Sequence, residues 1–82
     1  MSAVEKVVKR AIAKTLNERG ELDSISICQS VKEETGHGSS RSKTNLSEMV
    51  GANEVKKNPR RLPKKMRTTY VLTDTGRRWL RE

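Results

Sequence analysis

Apolar residues in the first twenty positions fall at three- and four-residue spacing (Val4, Val7, Val8, Ala11, Ile12, Leu16), while Glu5, Lys6, Lys9, Arg10 and Lys14 take the opposite face. That periodicity predicts an amphipathic helix over about 3–19, with Ser2 as its N-cap and Gly20 as its stop. Leu22, Ile25 and Ile27 follow with small or acidic residues between them, which predicts a strand stub at 22–24. A second helix over about 25–35 carries Ile27, Cys28 and Val31 inward, starts at Ser24 or Ser26 and ends at Gly36.

The stretch Gly36 to Ser40 has turn composition, and its serines can accept the free amide hydrogens of a third helix over 41–50. There Leu46, Met49 and Val50 form the inward stripe, with Ser42 on the same side. Arg41, Thr44 and Glu48 fall opposite, flanked by Asn45 and Ser47. Val55 opens an extended segment of about 54–58, and the prolines at 59 and 63 predict a loop. A strand rich in β-branched residues runs from Arg67 to Thr73, and Asp74 is the expected cap of a last short helix whose Trp79 and Leu80 fold back on the core. The fold class is therefore α+β: a three-helix core, a hairpin and a C-terminal turn of helix, in one domain over 1–82.

Charge sharpens this picture because it is uneven. The chain of 82 residues has a net charge of +8. Residues 1–40 hold six bases and six acids, whereas residues 41–82 hold twelve bases and four acids. The densest run supplies Lys56, Lys57, Arg60, Arg61, Lys64, Lys65 and Arg67 with no acid among them. Such a run can be a solvated face or a localisation signal. Lying between two predicted strands, it reads instead as a presented surface for a polyanion.

The order of elements resembles the winged helix-turn-helix superfamily over nearly the whole chain. The local match is Tyr70-Val71-Leu72-Thr73-Asp74-Thr75-Gly76, which is similar to the "Y-x-L-T-x-x-G" segment that closes the wing hairpin of many prokaryotic and archaeal winged-helix regulators. The resemblance implies that residues 41–50 form the recognition helix and 58–66 the wing. It also implies double-stranded DNA as partner, with sequence-specific transcriptional regulation as the function. Arg41 then suits guanine, Asn45 adenine, and Thr44 or Ser47 base edges or phosphate. Lys43 joins them, and the seven wing cations neutralise phosphates, with Arg60 or Arg61 entering the minor groove. Glu48 either accepts from a cytosine amino group or pairs with Lys43 or Arg41. Two other functions fit the same charge: a non-specific DNA, RNA or ribonucleoprotein binder, and a protein-interaction module for an acidic partner. Two aromatics are too few for a single-strand stacking platform.

Enzymatic activity is not expected. Cys28 and His37 lack a third group to form a nucleophilic constellation, Glu33 and Glu34 diverge on a helix, and no phosphate-binding glycine loop of the GxxxxGK[ST] type occurs. No cofactor or metal is implied. Cys28 reads as a small core residue, His37 as an exposed loop residue and Trp79 as a cover for the core. The chain has no 18-residue apolar run and no apolar segment of the signal-peptide kind, so the expected location is the cytoplasm, on the nucleoid if it binds DNA. A monomer or weak homodimer is expected. A homodimer would require half-sites about one helical turn, ~34 Å, apart.

Overall fold

A computed structural model describes the backbone of residues 2–62 and 65–81, and their side chains except at 60–62 and 65–67. The first helix, α1, is Ala3–Arg19. The Ser2 hydroxyl accepts from the Glu5 N–H at 3.2 Å, and Gly20, at a φ of 78°, donates back to the Leu16 carbonyl. This positive φ is strained for any residue with a Cβ, so glycine ends the helix here.

Strand β1 is only Leu22–Asp23, and Asp23 caps α2 (Ser24–Thr35), its Oδ1 accepting from Ser26 N–H at 2.9 Å. The expected serine cap gives way to aspartate because the strand ends one residue earlier. Helix α3, Ser39–Gly51, begins two residues before the expected start, with Gly38 at its N-cap and no side-chain capping bond. The three helices converge on Val8, Ile12, Leu16, Ile27, Val31, Leu46 and Met49.

Strands β2 (Val55–Leu62) and β3 (Lys65–Leu72) are longer than the sequence predicts and run through the basic segment expected to be a loop. Their antiparallel register pairs Val55 with Leu72, Lys57 with Tyr70, Pro59 with Thr68 and Leu62 with Lys65. The sheet order β1-β3-β2 explains why Pro59 does not break the strand: β2 lies at an edge, where a missing N–H can face solvent. Lys64, with Pro63, lies outside the described residues.

The chain ends in a 3-10 helix, Gly76–Arg81. Its cap is Thr73 rather than Asp74: the Thr73 hydroxyl accepts from Gly76 N–H at 3.1 Å and donates to the Asn53 carbonyl at 2.6 Å. Trp79, 3% exposed, closes the core as expected, whereas Leu80, 38% exposed, does not fold back on it: the two are neighbours on a 3-10 helix and leave it in different directions. The Trp79 indole N–H donates at 2.9 Å to Glu54, whose buried carboxylate also accepts two bonds from Arg78. A buried carboxylate is tolerable only when it is so satisfied, and here it fixes the C-terminal helix to the start of the hairpin.

Candidate nucleic-acid interface

Arg41, Lys43, Thr44, Ser47 and Glu48 are all exposed on α3. Arg41, Thr44 and Glu48, at i, i+3 and i+7, form one ridge along a cleft of about 580 Å³ between Glu5 in the first turn of α1 and α3, with Ser39, Ser40 and Asn45 also on its walls. Lys43 lies on the other flank of the helix, beside Cys28 and Lys32. Ser47 lines a small cleft with Val50, Lys57 and Tyr70, so the face of α3 meets the base of the hairpin there.

Two candidates stand differently from the sequence reading. Asn45 is buried, 3% exposed, and its Nδ2 donates to the Arg41 carbonyl at 2.8 Å. Its Oδ1 is fully buried without a partner. At about 100° per residue, Ser42, Asn45, Leu46 and Met49 occupy a single arc of about 100°, which is the stripe packed against the core. The Asn45 amide is thus engaged within α3, at the wall of the cleft rather than on the exposed ridge. Lys56 and Lys57 are both exposed, but as neighbours on a strand they leave opposite faces of the sheet, and Lys57 is the one on the side of α3. Arg60, Arg61, Lys65 and Arg67 lie on β2 and β3 with their side chains outside the described residues.

Sequence reasoning also missed Lys9. Assigned to the solvent face of α1, it is 7% exposed, and its ammonium lies 2.9 Å from Glu48 Oε1. The signal was present: Lys9 precedes Ala13 by four residues and Leu16 by seven, on the side of α1 that meets α3. Glu48 therefore pairs with Lys9 rather than with Lys43 or Arg41. His37, expected to be exposed, is half-buried.

No protein-family model matches the chain, and no curated protein sequence matches it. Among solved structures, Bacillus subtilis PadR in complex with operator DNA superposes with a TM-score of 0.76 and 28% identity over 92% of this chain. The chain has the winged helix-turn-helix fold. In that fold α2 and α3, joined by Gly36–Gly38, are the helix-turn-helix, and β2 with β3 is the wing, as the sequence resemblance implied. The chain spans 45% of the length of that PadR chain. That PadR is bound to operator DNA.

Among the described residues no group of three or more His, Cys, Asp or Glu side chains could hold a metal ion, and no helix is long and apolar enough to cross a membrane. Cys28, 6% exposed, makes a long Sγ contact of 4.0 Å to the Ser39 carbonyl. Burial pushes its thiol pKa up, against a smaller opposing pull from Lys43. The nucleophile is the thiolate, so Cys28 is expected to react with a disulfide reagent at pH 8 at least tenfold more slowly in the folded protein than in urea, read by absorbance of the released thiol.

Proposed function

We propose that this chain is a DNA-binding module of a transcriptional regulator, reading duplex sequence with α3 in the major groove and neutralising phosphates with the wing. The observation that carries the reading is the superposition on an operator-bound PadR over 92% of this chain. The charge distribution supports it independently, since the whole excess of positive charge lies in the half that contains α3 and the wing. The exposed ridge offers Arg41, suited to guanine, beside Thr44, with Ser47 and then Lys43 following around the exposed side of the helix. In this arrangement the wing supplies affinity and α3 supplies discrimination.

Fluorescence anisotropy with a random duplex, the matching RNA duplex and a single strand, each titrated across salt, tests this. The DNA duplex is expected to bind best, with log affinity falling against log salt at a slope of about −4 to −6, as five or six neutralised phosphates require. Selection from randomised duplexes is then expected to return a preferred sequence. Failure of all three ligands to bind near 0.1 M salt would refute the proposal and direct attention to an acidic protein partner.

A further inference from the structure

The exposed ridge of α3 contains a residue that electrostatics should exclude from a DNA-facing surface. Glu48 is the sole acid in Ser39–Gly51, and its side chain is 48% exposed beside Arg41 and Thr44. A free carboxylate there would be repelled by phosphates. It is not free, because Lys9 reaches from α1 with a side chain only 8% exposed and places its ammonium 2.9 Å from Oε1. A lysine side chain so largely buried calls for a counter-charge in good geometry at its ammonium. The pairing thus holds both partners in place: the lysine needs the carboxylate, and the carboxylate is held by a group anchored in another helix.

We propose that Lys9 and Glu48 act as one base-reading unit, in which buried Lys9 holds the Glu48 carboxylate at the rim of α3 as a fixed acceptor for the amino group of cytosine. This rests on the reading of α3 as the helix that enters the major groove. Lys9 is a positioning residue and touches no base. It cancels the net charge that would repel the backbone and removes the rotamer freedom that would blur the contact. The Glu48 side chain is half-exposed, and a carboxylate has acceptor capacity beyond the one bond to Lys9, which favours the cytosine N4 amino group and disfavours the acceptor atoms of guanine and thymine. Arg41 and Glu48 are seven residues apart, about 10.5 Å along the helix axis, or roughly three base-pair rises. The ridge can therefore place a donor over a guanine and an acceptor over a cytosine within one half-site.

Selection from randomised duplexes with the wild type, Glu48→Gln, Lys9→Met and the double variant tests the proposal, with anisotropy on the selected site and on single-base changes of it. The wild type is expected to prefer cytosine at one base pair by about 10-fold or more. Glu48→Gln should cut that preference at least fivefold or shift it to adenine, leaving the other positions unchanged. Lys9→Met should lose the same preference and weaken binding more at low salt than at high salt, and the double variant should recover that overall affinity without the cytosine preference. A circular-dichroism melt establishes folding. Glu48→Gln keeps an acceptor facing Lys9, so it tests the assignment even where Lys9→Met does not fold. Unchanged base preference in Glu48→Gln, or a uniform loss across sequences in Lys9→Met that the double variant does not recover, would make the pair a purely structural brace and overturn the proposal. Wild-type binding without any base preference overturns it while leaving a DNA-binding module in place, and no wild-type binding refutes the underlying reading as well.

Discussion

Alanine at Lys56, Lys57, Arg60 and Arg61 together is expected to weaken binding to duplex DNA by about 10³-fold at 0.15 M salt. The magnitude follows from counterion release. Each cation that neutralises a phosphate contributes about 0.9 to the slope of log affinity against log salt, so four remove about 3.6 from it. Extrapolated from 1 M, where release contributes nothing, to 0.15 M, that change amounts to about three powers of ten. The loss should be nearly the same for the selected site and for random duplex, because contacts to phosphate position the protein without reading sequence. Anisotropy titrations at several salt concentrations check both statements. A variant that keeps the wild-type slope would show that these four residues do not neutralise phosphate.

Gly76→Ala is expected to cost about 3 kcal/mol of folding stability, the upper range for overpacking a tight site. A Cβ at this position would overlap the Glu54 carbonyl oxygen and stand 2.7 Å from Leu72 Cδ1. Because the main obstacle is backbone, rotamer changes cannot relieve it. The Glu54 carbonyl accepts from Thr73 N–H at 3.1 Å, and the Glu54 carboxylate holds Arg78 and Trp79, so displacing this residue disturbs the whole corner. An 82-residue domain has roughly 4–12 kcal/mol in total. A fall in Tm of about 12–24 °C is therefore expected in a thermal melt, at about 4–8 °C per kcal/mol. Gly51→Ala is the control: a Cβ there meets nothing within 4 Å, and its Tm should hold within a few degrees. An unchanged Tm in Gly76→Ala would mean that the corner opens freely.

The features that the sequence reveals are those in which a local rule and the tertiary structure agree. The Ser2 and Gly20 boundaries of α1 are set by backbone bonds within the helix, and the inward Cys28 and Trp79 follow from periodicity and size. The segment Tyr70 to Gly76 identified the hairpin and its corner because a close backbone approach demands glycine there. What stayed hidden depends on partners distant in sequence. Asn45 looks like a polar surface residue until the direction of the packed stripe of α3 is known. Lys9 and Glu48 are 39 positions apart in sequence, and no spacing rule within one helix joins them. Glu54 is an unremarkable acid in the sequence, and only the return of the C-terminal helix buries it. The extent of the wing is hidden for another reason: a proline that breaks a central strand is harmless on an edge one.

That edge has a further consequence. β2 runs eight residues along the border of the sheet with β3 as its partner, so its outer row of backbone groups is a template on which a second chain could add a strand. Lys56 and Lys57 oppose that addition by like-charge repulsion, and Pro59 interrupts the row of donors. The composition that suits the wing to a polyanion thus also keeps the hairpins of two molecules apart, so solubility and affinity depend on the same few side chains.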